Sequence, residues 1–247
     1  MSVALVTGGA RRIGAAIVRQ LAGAGYTLAI HCNTSRAEAD ALAAELGDAG
    51  QRAHVLSADL ADAASLAPLV RQAAALGSLS LLVNNASLFE DDRIGAIDPA
   101  MFERQIALSL RAPLLLTEAF AAVAGAGASV VNIIDQRVLK PTPDHVSYAL
   151  AKSALWTLTV MSAQALAPSI RVNAIAPGPT LPNILDGSEG FAREAAAVPL
   201  AHAVPPQAIA DAVLYLARAA SVTGTLLPVD AGQHIGWKTP DVAMLDL

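Results

Sequence analysis

The stretch VALVTGGARRIG, which runs from Val3 to Gly14, decides the fold of this chain. It begins as a short apolar run, passes through a glycine-rich turn and then enters a helical pattern. Glycines at such a turn let the backbone bend tightly and approach a pyrophosphate, whose charge then lies at the N-terminus of the helix. We therefore predict a strand at residues 3–7, a phosphate-binding turn at 7–14 and a helix at 13–24.

The rest of the chain repeats this alternation of strand and helix, which predicts an α/β fold with a parallel sheet covered by helices on both faces. Residues 177–204 contain several Pro and Gly residues without a clear period, so they are predicted to form a mobile loop or lid over the site. Further strands are predicted at residues 27–31, 53–56, 79–83, 129–134, 171–175 and 226–229. Further helices are predicted at residues 37–47, 63–75, 101–123, 146–166 and 205–218.

The composition argues against several other classes of protein. The chain is 54% hydrophobic and 15% charged, as in well-packed globular proteins. A net charge of −5 without a basic block argues against nucleic-acid binding. The longest uncharged stretch, residues 153–170, is too polar for a membrane span. We expect no signal peptide and no metal site, and the single cysteine, Cys32, excludes an internal disulfide and fits a reducing cytoplasm.

The residues after the second predicted strand indicate which dinucleotide would bind. An acid is expected there if the ribose carries a free 2′-hydroxyl, but this chain has HCNTSR at residues 31–36. Hydroxyl groups and an arginine suit a 2′-phosphate instead, so NADP(H) is preferred over NAD(H). The residues predicted to surround that phosphate are Asn33, Thr34 and Ser35.

A tyrosine and a lysine four residues apart, Tyr148 and Lys152, are a candidate catalytic pair. On a helix these two positions share a face, so the ammonium group can lie beneath the phenol and favour its ionised form. This would lower the pKa of the tyrosine from its usual value of about 10. An acid, Asp135, precedes the pair in the sequence. The spacing alone is common in helical proteins, and it gains significance from the glycine turn in the same chain.

Together these segments resemble the short-chain dehydrogenase/reductase family over nearly the whole chain. The resemblance implies one Rossmann-type domain over residues 1–247, with a doubly wound parallel sheet of about seven strands. It also implies nicotinamide chemistry and a homotetramer. The matching segments are TGGARRIG, Asp59-Leu60, the NNAS run at 84–87, Asp135, Tyr148, Lys152, Pro177-Gly178, Thr223-Gly224 and the VDAG run at 229–232.

The same resemblance implies a role for each matching position. The glycine turn would hold the phosphates, and the residues after the third and fourth strands would line the adenosine. The residues after the sixth strand would approach the carboxamide. The implied cofactor-binding residues are Gly8, Arg11, Arg12, Ile13, Gly14, Asp59, Leu60, Asn84, Ala86, Ser87, Tyr148, Lys152, Pro177 and Gly178.

Three departures from the usual family pattern resemble the pteridine reductase branch, to which bacterial dihydromonapterin and dihydrofolate reductases are similar. Most family members have glycine at the positions of Arg12 and Ser87, and serine at the position of Asp135. Many also have a relay asparagine where this chain has Ser109. In the branch, an aromatic residue at the position of Phe89 stacks on a pterin. The implied substrate-binding residues are Arg12, Ser87, Phe89, Asp135 and Tyr148.

An aspartate at position 135 changes the reaction that the tyrosine can support. Reduction of a carbonyl builds negative charge on oxygen, which a serine hydroxyl stabilises and a carboxylate repels. Reduction of a C=N bond leaves a ring nitrogen that needs a proton, and a pterin presents N–H donors that a carboxylate accepts. We therefore predict that Asp135 and Tyr148 share a proton and deliver it to that nitrogen during NADPH-dependent reduction of a dihydropterin or dihydrofolate.

Other interpretations remain open on the sequence alone. The chain could reduce another imine, a quinone or a ketone and merely retain the aspartate. It could instead be a catalytically inactive nucleotide-binding protein that regulates a partner, although the intact Tyr148 and Lys152 argue against this. Asp135 itself could be a structural hydrogen-bond acceptor, and Arg12 could lie on a solvated surface.

Overall fold

The computed structural model describes residues 1–182 and 187–237, which contain one parallel sheet of seven strands. The strand order is β3-β2-β1-β4-β5-β6-β7, so the order along the chain reverses between β1 and β4. The predicted single-domain, doubly wound fold is confirmed. The strands are β1 (Ser2–Val6), β2 (Thr27–Cys32), β3 (Ala53–Ser57), β4 (Ser78–Asn84), β5 (Ala128–Ile133), β6 (Ile170–Pro177) and β7 (Leu226–Val229).

Helices cover both faces of the sheet, because alternate residues of each buried strand point to opposite sides. In β1, Ala4 and Val6 contribute to the core beneath α1, α2 and α8, whereas Val3 and Leu5 contribute to the core beneath α3 and α5. The helices are α1 (Arg12–Gly23), α2 (Arg36–Asp48), α3 (Ala63–Ala74), α4 (Pro99–Ile106), α5 (Ala112–Ala121), α6 (Val146–Leu166), α7 (Gly187–Ala197) and α8 (Pro206–Arg218).

Two predictions about helices need correction. The single helix predicted at residues 101–123 is α4 and α5, joined by a π-helical segment at Ala107–Arg111. Residues 177–204, predicted as a mobile loop or lid, contain the helix α7. Among the described residues of α7 only Ala195 is buried, so its sequence lacks the apolar stripe that would have revealed a helix.

The glycine turn is held at the reversal point by the end of β4. The backbone N–H of Thr7 donates to the carbonyl of Val83 at 3.0 Å, and the hydroxyl of Thr7 accepts from the backbone N–H of Asn85 at 2.9 Å. The turn therefore opens at the carboxyl edge of the sheet, where open α/β sheets bind ligands. No helix in the described part of the chain is long and apolar enough to cross a membrane.

Candidate active site

A cleft of about 540 Å³ opens at the carboxyl ends of the strands. It brings together residues from every part of the chain, and nearly all of the predicted site residues line it. Those residues are Gly8, Arg11, Arg12, Ile13, Gly14, Asn33, Thr34, Ser35, Asp59, Leu60, Ala86, Ser87, Phe89, Asp135, Tyr148, Lys152, Pro177 and Gly178.

Asn84 is the predicted site residue that does not line the cleft. Its side chain is buried, and Nδ2 donates to Oδ1 of Asn132 at 2.8 Å. The next residue, Asn85, lines the cleft, and its Nδ2 donates to the carbonyl oxygens of Thr7 and Gly8 at 2.9 and 3.0 Å. The pairing of β4 with β1 therefore turns the side chain of Asn85, and not that of Asn84, towards the glycine turn.

The glycine turn has the geometry of an anion-binding turn. Gly8 adopts a φ of +60°, a region that favours glycine. A Cβ at Gly14 would lie 2.1 Å from the carbonyl oxygen of Gly8, so no larger residue fits there. The first backbone bond of α1 runs from the N–H of Ala15 to the carbonyl of Arg11 at 3.1 Å. The preceding amides have no acceptor within the helix and are available to an anion.

The two arginines of the turn make different contacts. Arg11 is exposed and pairs with Glu38 at 3.3 Å, a contact that costs little to exchange for another anion. Arg12 has a φ of +53°, and its guanidinium donates to the carbonyl oxygens of Pro182 and Leu181 at 3.0 and 3.3 Å. Arg12 is therefore bonded to the segment that was predicted to be a lid.

His31 is a site residue that the sequence analysis did not assign. It lies near the end of β2, is 2% exposed and lines the cleft. The backbone N–H of Gly8 donates to Nδ1 at 3.1 Å, and Nε2–H donates to the carbonyl of Ala58 at 3.1 Å. These partners require the neutral imidazole, and burial lowers the pKa of His31 below its usual value.

We expect the free energy of unfolding to depend on the charge of His31. A histidine whose pKa is lowered in the folded state stabilises the fold above its unfolded pKa of about 6.5, and this contribution is lost as the pH falls below that value. Denaturant unfolding between pH 7.5 and 5 should therefore show a loss of stability that His31→Asn reduces and His54→Asn, an exposed control, does not. Equal pH dependence in all three proteins would contradict this role.

Tyr148, Lys152 and Asp135 meet in the cleft. The hydroxyl of Tyr148 donates to Oδ2 of Asp135 at 2.8 Å. Nζ of Lys152 donates to the carbonyl of Ile133 at 2.8 Å and lies 5.6 Å from the centroid of the Tyr148 ring. The start of α6 carries the tyrosine and lysine, and the aspartate follows β5, so two neighbouring elements position the three groups.

The expected effect of Lys152 on the phenol was wrong. The pKa of Tyr148 is raised well above 10, first by burial and then by the charge of Asp135 and the hydrogen bond to it. The pKa of Lys152 is lowered to about 8 because its ammonium group is buried, an effect that Asp135 partly offsets. Tyr148 is therefore a neutral proton donor that is bonded to Asp135, and not a group that is already ionised.

Phe89 is packed by three neighbours. Its ring centroid lies 4.2 Å from that of His145 and 4.9 Å from that of Tyr148, the latter in an edge contact. The guanidinium carbon of Arg137 lies 5.5 Å from the same centroid. A heterocycle that stacks on Phe89 would therefore have to share the ring with these side chains. Arg137 also lines the cleft, and the sequence analysis did not assign it.

A buried aspartate joins the loop that carries Phe89 to the helix that carries Tyr148. Asp92 is 5% exposed, and its carboxylate accepts from the backbone N–H of Ser147 at 3.1 and 3.3 Å and from the hydroxyl of Ser147. In the same loop, the carbonyl of Glu90 lies 2.8 Å from Nδ1 of His145. These bonds fix the first turn of α6, and therefore Tyr148, against the substrate side of the cleft.

We expect Asp92→Asn to lower the free energy of unfolding by about 1–3 kcal/mol, because the charge-assisted bonds from the Ser147 N–H and hydroxyl are replaced by weaker bonds to a neutral amide. Asp62→Asn is the matched control, since Asp62 is an exposed N-cap of α3 and Asn caps a helix about as well as Asp. Denaturant unfolding measures both variants. Equal stability of the two variants would show that the buried carboxylate of Asp92 stabilises the fold no more than an exposed N-cap carboxylate does.

Ser109, placed by the sequence analysis at the position of the relay asparagine, is buried and does not line the cleft. It lies in the π-helical segment, and its Oγ accepts from Nε2 of Gln105 at 2.8 Å. Short π-helical segments are frequent at functional sites because they redirect a side chain within a helix. Here the segment directs Ser109 towards another buried side chain.

Known proteins match this chain over nearly its whole length. A family model described as enoyl-(acyl carrier protein) reductase matches residues 8–234. An uncharacterised oxidoreductase of Mycobacterium tuberculosis is 37% identical over 93% of this chain and 91% of that protein. A crystal structure of FolM alternative dihydrofolate reductase 1 from Brucella canis, complexed with NADP, has a TM-score of 0.94 and 47% identity, covering 98% of this chain and 97% of that chain.

A short-chain dehydrogenase/reductase from Serratia marcescens has a TM-score of 0.90 and 33% identity, covering 94% of this chain and 98% of that chain. The chain belongs to the short-chain dehydrogenase/reductase family of oxidoreductases.

Proposed function

We propose that this protein reduces a C=N bond of a dihydropterin, with NADPH as the reductant. The observation that carries the proposal is the 2.8 Å hydrogen bond from the hydroxyl of Tyr148 to the carboxylate of Asp135 inside the cleft. A tyrosine bonded in this way holds a proton inside the cleft, which it can pass to a substrate nitrogen that takes the place of the carboxylate as acceptor.

The Tyr148–Asp135 pair suits a nitrogen better than a carbonyl oxygen. Asp135 lies where an oxyanion would form if a ketone were reduced, and like charges would repel there. When hydride adds to the carbon of a C=N bond, the adjacent ring nitrogen needs one proton. No anion remains once the nitrogen has received it. The reaction then balances as dihydropterin plus NADPH plus one proton giving tetrahydropterin plus NADP⁺.

The cofactor would lie along the glycine turn and the carboxyl ends of the strands. The free amides at the start of α1 and the positive φ of Gly8 fit a pyrophosphate. Asn33, Thr34 and Ser35 line the cleft without an acid among them, which fits a 2′-phosphate that competes with Glu38 for Arg11. When bound, NADPH supplies the hydride. The Brucella relative that is complexed with NADP supports this choice.

The heterocycle would lie between the nicotinamide and Phe89, with its reacting nitrogen at Tyr148. Lys152 donates a hydrogen bond to the carbonyl of Ile133. Its positive charge can offset the negative charge that remains when the proton leaves Tyr148. Burial of Tyr148 keeps its proton in place until the nitrogen becomes basic. The name of the Brucella relative, an alternative dihydrofolate reductase, supports a pterin or folate substrate.

Residues 177–182 and 187–204 would cover the bound molecules, and residues 183–186 of the predicted lid lie outside the described part of the chain. Leu181, Phe191 and Glu194 of this segment line the cleft, and Arg12 is bonded to carbonyl oxygens at residues 181 and 182. A phosphate that draws the Arg12 guanidinium away would free the segment to move. A homotetramer and a cytoplasmic location stay predictions.

A substrate panel tests the proposal. Purified protein is mixed with NADPH or NADH and with 7,8-dihydrobiopterin, 7,8-dihydromonapterin, dihydrofolate, or representative imines, quinones and ketones. NADPH consumption that depends on a pterin and is blocked by methotrexate is the expected result. Consumption only with a ketone or quinone would favour the other reductase, and NADPH binding without any turnover would favour a regulatory protein.

A further inference from the structure

Arg137 is a cation in the cleft that no step of the proposed reaction uses. It follows Asp135 by two residues, in a short 3₁₀ turn at Gln136–Val138. Its backbone N–H donates to Oδ1 of Asp135 at 2.8 Å, and its Nη1 lies 3.5 Å from both carboxylate oxygens. The side chain is 20% exposed, so it faces the cleft and not bulk solvent.

The guanidinium has donors left over. A contact of 3.5 Å is at the long end of the hydrogen-bond range, so the bond to Asp135 is weak. Among the residues that the structure describes, Nε of Arg137 is buried and has no hydrogen-bond partner. A buried N–H without an acceptor is costly, so a small shift of the Arg137 side chain that brings its guanidinium to an acceptor oxygen of a ligand gains the energy of a charge-assisted bond.

The position of the reacting nitrogen determines what this donor would meet. Tyr148 and Arg137 both contact the carboxylate of Asp135, so a nitrogen that accepts the tyrosine proton has Arg137 beside it. In 7,8-dihydrobiopterin and 7,8-dihydromonapterin, the nitrogen of the reacting C=N bond has two oxygen-bearing neighbours. One is the ring oxo group on the same edge, and the other is the side chain on the adjacent carbon.

We propose that Arg137 selects substrates that carry an acceptor oxygen next to the reacting C=N bond, to which its guanidinium donates. The inference rests on the proposed function and adds a specificity-determining residue to it. Asp135 alone would repel the lone pairs of such an oxygen, and the neighbouring cation converts that repulsion into attraction.

Arg137→Met tests the inference, because methionine keeps the length of the side chain and removes its donors. We expect kcat/KM for 7,8-dihydrobiopterin to fall about 10- to 100-fold, the value of one hydrogen bond to a charged group. The inhibition constant of 2,4-diamino-6-methylpteridine, which has neither oxygen, should stay within about threefold. Arg71→Met, on the exposed side of α3, is the matched control.

A second substrate identifies the oxygen. With 6-methyl-7,8-dihydropterin, which keeps the ring oxo group and lacks side-chain hydroxyls, an equal loss in Arg137→Met would assign the ring oxygen. No loss with this substrate would assign the side-chain hydroxyl. Arg137→Lys, which keeps the charge but not the planar fork, should recover part of the loss.

Two results would overturn the inference. One is a loss with 7,8-dihydrobiopterin no larger than in Arg71→Met. The other is an equal weakening of the diaminopteridine, which would mean that Arg137 only supports the shape of the cleft. Failure of the wild-type protein to reduce any pterin while it binds NADPH would overturn the proposed function instead. Pterin affinities of the variants would then still test the Arg137 contact.

Discussion

Tyr148→Phe should reduce pterin turnover by about 10²- to 10⁴-fold, the usual contribution of a positioned proton donor. The hydroxyl that is lost is the one bonded to Asp135, and the phenyl ring keeps the edge contact with Phe89. We therefore expect the dissociation constant of NADPH, measured by fluorescence titration, to change by less than about threefold. Steady-state kinetics of the purified variant measure the loss.

Tyr215→Phe is the matched control, because Tyr215 is exposed on α8, outside the cleft. It should retain wild-type turnover. If Tyr148→Phe stops binding NADPH, the residue is chiefly structural. If it retains turnover, another group supplies the proton.

Asp135→Ser should lower pterin reduction by about 100-fold or more, while the dissociation constant of NADPH stays nearly unchanged. Serine removes the acceptor that holds the Tyr148 hydroxyl and the carboxylate that accepts N–H donors of the heterocycle. It also introduces a hydroxyl that can donate to an oxyanion. The ratio of ketone to pterin reduction should therefore rise, which a substrate competition assay measures.

Asp48→Ser is the control for the loss of a surface carboxylate, since Asp48 is exposed at the end of α2 and does not line the cleft. Unchanged pterin turnover in Asp135→Ser would leave Asp135 as a structural acceptor. If pterin turnover is lost while the ratio of ketone reduction to pterin reduction does not rise, the carboxylate does not exclude carbonyl substrates.

The fold was accessible from the sequence because short, mostly apolar strands alternate with helical segments along the chain. The strand predicted at residues 79–83 differs from β4 by one residue at each end. The π-helical segment at Ala107–Arg111 was not accessible, since an extra residue in one turn leaves the helical composition unchanged. Helix α7 was missed because its apolar residues form no clear stripe at helical spacing, and among its described residues only Ala195 is buried.

The candidate site was accessible wherever a short motif fixes a position. The four-residue spacing of Tyr148 and Lys152 on one helix is such a case. The contacts of Asn85, His31 and Arg137 depend on how distant strands and turns pair, which local sequence does not specify. The pKa of Tyr148 was predicted in the wrong direction because burial outweighs the nearby ammonium, and burial follows from the whole fold.

The account is tested most directly by following the hydride itself. NADPH that carries deuterium at the transferable position of its nicotinamide is incubated with the protein and 7,8-dihydrobiopterin, and the products are analysed by mass spectrometry and NMR. The account predicts NADP⁺ and a tetrahydropterin with one deuterium at the carbon next to the newly protonated nitrogen. Unreduced pterin, in protein shown to bind NADPH, or reduced pterin without deuterium at that carbon would contradict it.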